Sequence, residues 1–279
     1  MTIITAVEVA SLSASGDTIL IDARGGKDAH ERYLKGHLLG ARFVDLDADL
    51  SNVGSDASEG GRHPLPNIQD FTRLLSKLGI DPSVKVMVYD DKNGAMAAAR
   101  FWWMLKALGH PSVMLVSGGL AALIQAGLPI TTDEPEPLTD FLEYEATGWN
   151  LPLVTMEEVA AAAESTDQLV IDVREAYRYN GESEPIDLVA GHIPGAVNVP
   201  FSENLDENGL YLPSDVLKQK YQEVLGDKDP NKVIVHCGSG VTACHTLAAL
   251  EDAGMVGARL YVGSWSEWSR NDNPMITKE

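Results

Sequence analysis

The sequence predicts an α/β protein built from two copies of one domain, each a parallel sheet flanked by helices on both faces. Three observations lead there. Short motifs recur once, in the same order, about 150 residues apart, which is the period of a whole duplicated domain and not the 20–50 residues of a solenoid. Each motif closes a short apolar run of the kind a parallel strand buried on both faces requires. Stretches with helical spacing and small residues lie between the runs, so strands and helices alternate. A chain of 279 residues has room for two cores of ordinary size.

Along the chain, the strand-like run Thr18 to Ile21 ends on Ile21-Asp22-Ala23-Arg24. Its counterpart, Leu169 to Ile171, ends on Ile171-Asp172-Val173-Arg174. Gly36-His37-Leu38-Leu39-Gly40-Ala41 returns as Gly191-His192-Ile193-Pro194-Gly195-Ala196. Because both copies keep the histidine, His37 and His192 read as fold elements. Val86-Met87-Val88-Tyr89-Asp90 returns as Val233-Ile234-Val235-His236-Cys237, each followed by a loop and a helix of small residues. Near the ends, Val116-Ser117-Gly118-Gly119-Leu120 corresponds to Val262-Gly263-Ser264-Trp265.

Between Thr131 and Pro152, three prolines (Pro135, Pro137 and Pro152) deny helix continuity, and Asp133, Glu134 and Glu136 call for solvent. We therefore place a first domain at residues 1–140, a linker at 141–152 and a second domain at 153–279. Thr155-Met156-Glu157-Glu158 opens the second domain as an N-cap with acidic first-turn residues, leading a helix through Ala163. Trp265 and Trp268, three apart, belong on one helix face directed to the core.

Composition excludes several classes of function. A formal net charge of −20 repels nucleic acid and anionic membranes. No apolar run approaches a membrane span, and Met1 to Leu12 has neither a basic start nor a small-residue cleavage site, so an unexported, cytoplasmic protein is expected. The two cysteines, Cys237 and Cys244, are too close along one loop-helix unit for a stabilising disulfide and lack zinc-site spacing; reduced thiols and no metal are expected.

The chemistry concentrates at Cys237-Gly238-Ser239-Gly240-Val241-Thr242. The run Val233 to His236 delivers Cys237 at a strand end, and Ala243 to Ala253 reads as the helix that follows. Glycines in that connection let backbone amides converge in front of a helix N-terminus, which stabilises an anion such as a thiolate. Cys244, among Ala243, Leu247 and Ala248, reads as core. A strand-Cys-loop-helix also describes cysteine phosphatases, but these need an arginine six positions after the nucleophile, where this chain has Ala243. Sulfur transfer remains.

These residues resemble the tandem-domain rhodanese family, and within it the 3-mercaptopyruvate sulfurtransferase branch. The resemblance rests on the Cys237 to Thr242 hexad, the Gly191 to Ala196 element, Tyr261 with Gly263-Ser264-Trp265-Ser266-Glu267-Trp268, and Trp102-Trp103-Met104-Leu105. It implies two rhodanese-like domains, the first catalytically degenerate because Asp90 stands at the cysteine position. It implies a Cys237 persulfide, no cofactor, a small-molecule sulfur donor, and a thiol acceptor that is thioredoxin-like or of low molecular weight, or cyanide. Gly238, Gly240, Val241 and Thr242 form the binding loop. Thiosulfate-preferring relatives carry basic residues directly after the cysteine, whereas Gly238 and Ser239 are neutral, so 3-mercaptopyruvate is the expected donor and thiosulfate the alternative.

By the same resemblance Arg178 grips the donor carboxylate, and Ser239, His63 and Asp47 form a proton relay. A second substrate arginine is expected where this chain has Ile186, so the other cation comes from elsewhere, or Arg178 acts alone, or the donor differs. A non-catalytic double binding module is the reading from another class.

Overall fold

The computed structural model describes residues 2–13 and 17–278, and these separate into two compact units. The first comprises residues up to Asn52, Pro66–Asn150 and Glu207–Tyr211; the second comprises Val53–Leu65, Leu151–Asp206 and Leu212 onward. Each unit therefore includes a segment from the other half of the sequence.

In the first unit, β1 (Ile3–Ile4), α1 (Ala6–Ser13), β2 (Thr18–Arg24), α2 (Ala29–Lys35), β3 (His37–Leu38) and β4 (Arg42–Asp45) come first. They are followed by α3 (Ile68–Lys77), β5 (Lys85–Tyr89), α4 (Ala97–Ala107), β6 (Val113–Val116), α5 (Gly119–Gln125) and β7 (Ile130–Thr131). Five strands form a parallel sheet in the order β1-β6-β5-β2-β4, and β3 pairs antiparallel with β7. Strand β5 is central, and its Val86 to Tyr89 are completely buried, as a strand covered on both faces must be.

The second unit repeats the plan with α6 (Met156–Ala163), β8 (Leu169–Asp172), α7 (Ala176–Tyr179), β9 (Val197–Asn198), α8 (Ser214–Leu225), β10 (Val233–His236), α9 (Thr242–Asp252), β11 (Arg259–Leu260) and α10 (Ser264–Trp268). Its parallel sheet runs β11-β10-β8-β9. A parallel bridge from Leu153 to Leu260 adds the counterpart of β1, so the strand order of the two units is the same. Helix α6 begins where the sequence places it. The Thr155 hydroxyl accepts the Glu158 amide while the Glu158 carboxylate accepts the Thr155 amide, a reciprocal capping box.

The repeated motifs have a shared structural purpose. The Arg24 guanidinium grips Asp22 and donates to the carbonyl of Gly36 at 2.9 Å; Arg174 grips Asp172 and donates to the carbonyl of Gly191 at 2.6 Å. The following histidine stacks on a tyrosine in each unit, His37 on Tyr33 and His192 on Tyr179, both with ring centroids 3.7 Å apart. Each Nδ1 bonds that tyrosine's own carbonyl, and each tyrosine hydroxyl donates to the alanine that closes the motif, Ala41 or Ala196. Both histidines are thus staples of the fold. Trp265 and Trp268 lie in the second core, their indole N–H groups donating to Val189 and Pro274 carbonyls.

Candidate active site

Parallel α/β sheets present their loops to ligands at the carboxyl ends of the strands. Cys237 stands at that end of β10, an interior strand, and its residue surface is 2% exposed. The backbone there is fixed from α10. The Cys237 amide donates to Ser264 Oγ at 3.1 Å, and the carbonyls of Cys237 and Gly238 accept the amides of Trp265 and Ser266 at 3.0 and 2.9 Å. Below it, His236 is fully buried, with Nδ1 3.3 Å from the Cys237 carbonyl and Nε2 3.8 Å from Asp172. Burial pushes its imidazole below the usual histidine range. Arg174, paired with Asp172 and lying over the Trp265 ring, is structural.

The loop glycines serve different purposes. Gly240 has φ +73°, and a Cβ there would stand 2.5 Å from the Val262 carbonyl oxygen, so both conformation and space require glycine. Gly238 has no such backbone demand. A Cβ there would meet Arg62 Nη2 at 3.0 Å and Arg178 Nη2 at 3.3 Å, so two guanidiniums cover the residue that follows the cysteine. Val241 and Thr242 lead into α9, the helix whose N-terminus faces this loop. The thiol of Cys244 is spent on the Gly240 carbonyl inside that helix.

Arg178 is held by Glu184, to which its Nε donates at 3.0 and 3.1 Å, and by Asp187. Burial alone would lower its affinity for a proton, but Glu184 and Asp187 raise it above the usual arginine value, with Cys237 contributing in the same direction. Arg62 was not singled out from the sequence. It precedes His63 directly, a signal that reads as an ordinary loop cation until the fold brings Val53–Leu65 into the second unit. There Gly60 donates its amide to Glu267, the Arg62 amide donates to Ser266 Oγ, and Asn271 donates to the Ser58 carbonyl. This strap brings His63 Nδ1 to 2.7 Å from Ser239 Oγ. Asp47 belongs to the first unit, exposed in the turn after β4, with its amide bonded to the Asp45 carboxylate.

At the position matching Cys237, the first unit shows how many amides this strand-loop-helix connection brings to one acceptor. The buried carboxylate of Asp90 accepts four backbone amides, from Lys92 and Gly94 on one oxygen and from Met96 and Ala98 on the other, at 2.7–3.2 Å. No sulfur can be carried there. Among the described residues no group of three or more His, Cys, Asp or Glu is arranged to hold a metal, and no helix is long and apolar enough to cross a membrane.

A family model for the rhodanese-like domain matches residues 5–126 and again 155–271. A Pseudomonas aeruginosa protein carrying a 3-mercaptopyruvate sulfurtransferase name is 38% identical over 95% of this chain and 94% of its own length. SseB of Mycobacterium tuberculosis, which carries a thiosulfate sulfurtransferase name, is also 38% identical, over 96% of this chain and 93% of its own. Among solved structures, SseA from Escherichia coli, a 3-mercaptopyruvate-using enzyme of the rhodanese fold, superposes with a TM-score of 0.79 at 31% identity, covering 96% of this chain and 100% of that one.

Proposed function

The chain belongs to the rhodanese family, and from that premise we propose that it moves sulfane sulfur from 3-mercaptopyruvate to a thiol or cyanide acceptor through a persulfide on Cys237. The observation that carries the reading is the placement of two guanidiniums, Arg62 and Arg178, over Gly238 beside a strand-end cysteine. A carboxylate held there sets the donor's sulfur against the thiolate.

In the first half-reaction the Cys237 thiolate attacks the donor sulfur. The S–S bond forms as the donor C–S bond breaks, and the electron pair goes to the carbon beside the ketone, giving the enolate of pyruvate. The enolate carbon takes up a proton. Ser239 with His63 is suited to move that proton. The persulfide's outer sulfur is anionic, and the amides of Gly238 to Thr242 form its cradle. The four-amide grip on Asp90 in the sister loop supports this assignment. In the second half-reaction an acceptor thiolate or cyanide attacks the outer sulfur and Cys237 leaves as thiolate, so no external oxidant or reductant is consumed. A thioredoxin-like dithiol or a low-molecular-weight thiol, both at home in a reducing cytoplasm, suits that step. No cofactor enters either half.

The likeness to SseB of Mycobacterium tuberculosis keeps thiosulfate as the second donor, acting on the same Cys237. Intact-mass spectrometry tests the reading. Incubation with 3-mercaptopyruvate should add about 32 Da, one sulfur atom, and release pyruvate. Cys237→Ser should do neither, while Cys244→Ser should behave as the parent. A parent protein that gains no sulfur from either donor would overturn it.

A further inference from the structure

Asp187 gathers three arginines that are far apart in sequence. Its carboxylate, with no exposed side-chain surface, accepts from Arg62 Nε at 3.1 Å, Arg178 Nη2 at 3.3 Å and Arg270 Nη1 at 3.0 Å. The neighbouring acid, Glu184, takes the other bonds of Arg178 and is itself fixed by the amides of Ile186 and Asp187 at 3.0 and 3.1 Å. The short segment Glu184 to Asp187 thus places two carboxylates beneath the guanidiniums that cover Gly238. Ile186, between them, is 54% exposed and brings no charge.

The charge count is specific. Three guanidiniums, on Arg62, Arg178 and Arg270, face two carboxylates, on Glu184 and Asp187. Arg174 also reaches Glu184, at 3.4 Å, but is matched by Asp172. Among these ion-paired side chains one positive charge is left over, and it faces the Cys237 thiolate as well as the donor. The chain as a whole carries a net charge of −20, so this surplus is a local exception.

We propose that Asp187 determines donor selectivity by setting the charge of the arginine cluster to suit a donor with one negative charge, such as a mercapto-keto acid, and to disfavour a dianion such as thiosulfate. This rests on the sulfurtransferase reading above. The carboxylate also arranges the cluster. It holds Arg62 through Nε and, at 3.5 Å, Nη2, and Arg178 through Nη2, and among the described residues no hydrogen bond occupies Nη1 of either residue. Those two groups are left to a ligand. Adding or removing one unit charge at several ångströms in a partly desolvated site changes the relative affinity for one further ligand charge by about tenfold.

The test is the ratio of kcat/KM for thiosulfate to kcat/KM for 3-mercaptopyruvate, measured on the same preparation, because the fraction of folded protein cancels. Asp187→Asn, which adds one positive charge to the cluster, should raise the ratio about tenfold, and Arg270→Gln, which removes one, should lower it by a similar factor. Both shifts should shrink as ionic strength rises. A purely structural role would depress both donors together and leave the ratios within twofold of the parent; that result, or ratios moving in the same direction in both variants, overturns the proposal. If the parent's turnover of thiosulfate is below detection, Asp187→Asn must bring it into range, and its staying undetectable while 3-mercaptopyruvate is still used is equally fatal. If Asp187→Asn fails to fold, a ratio that does not fall in Arg270→Gln decides against the proposal. Failure of the underlying reading looks different: the parent then forms no Cys237 persulfide with either donor.

Discussion

His63 and Ser239 are 176 positions apart in sequence and 2.7 Å apart in space, Nδ1 to Oγ. Both atoms belong to the second compact unit, the histidine on the strap and the serine on the loop that carries Cys237. A hydroxyl held against an imidazole is suited to relaying a proton, and such groups contribute about 10²–10⁴-fold to rate. Ser239→Ala and His63→Gln should each lower kcat with 3-mercaptopyruvate within that range. The double variant should be little worse than either single one, because the two residues act as one unit. Persulfide formation followed by stopped flow under single-turnover conditions reads this directly. Multiplicative losses in the double variant would separate the two roles.

The two loop glycines should respond differently to the same added methyl group. At Gly240 the left-handed backbone and a 2.5 Å approach to the Val262 carbonyl leave no room, so Gly240→Ala should cost at least about 1–3 kcal/mol of stability. At Gly238 the backbone accepts alanine, and the methyl meets only the Nη2 tips of two guanidiniums, at 3.0 and 3.3 Å, which give way by a few tenths of an ångström. Gly238→Ala should unfold within about 0.5 kcal/mol of the parent and raise KM for the donor through displacement of Arg62 and Arg178. Urea titration and steady-state kinetics on both variants distinguish the cases; equal stability losses would contradict the assignment.

Asp90 satisfies four amides from inside the first unit, which makes it a structural acceptor even though burial pushes its carboxyl above the usual carboxylate range. Asp90→Ala would leave those donors buried without a partner, at about 1–3 kcal/mol for each one that water does not reach. A fall in Tm is expected, with kcat/KM per folded molecule unchanged. A variant with parental Tm would show that water replaces the carboxylate.

Elements set by local physics are legible in the sequence. The duplicated apolar runs became β2 and β8, β5 and β10; the Thr155 cap opened α6 at the expected residue; and Cys237 follows β10 directly, with the glycine loop after it leading into α9. What the sequence concealed was long-range. The resemblance pairs His63 with Ser239, but no local signal in Gly61-Arg62-His63-Pro64 announces how the strap is fixed, since the bonds at Ser58, Gly60 and Arg62 come from Asn271, Glu267 and Ser266. For the same reason no local signal links Arg62 to Asp187, which the fold brings to 3.1 Å.

The Arg178–Glu184 pair makes an acid-stability prediction. Burial by itself would raise the Glu184 carboxyl, but hydrogen bonds from Arg178 and from the amides of Asp187 and Ile186 outweigh it and hold the carboxyl below its unfolded value of 4.5. The unfolded chain therefore takes up the proton before the folded one as pH falls. The contribution of Glu184 to stability is complete above about pH 4.5 and is lost as the pH passes down through its folded pKa. Arg178→Met removes the cation and leaves a buried carboxyl whose pKa moves up, so this contribution to the acid slope should flatten or reverse. Urea midpoints collected between about pH 6 and pH 3 should show the parent losing stability more steeply than Arg178→Met. Glu184→Gln should share the flattened slope while differing from Arg178→Met in overall stability, since it leaves Arg178 with Asp187 as its remaining acid instead of leaving a buried Glu184 with only the more distant Arg174. Parallel curves for all three proteins would mean that other carboxylates, not Glu184, set the acid limit of the second unit.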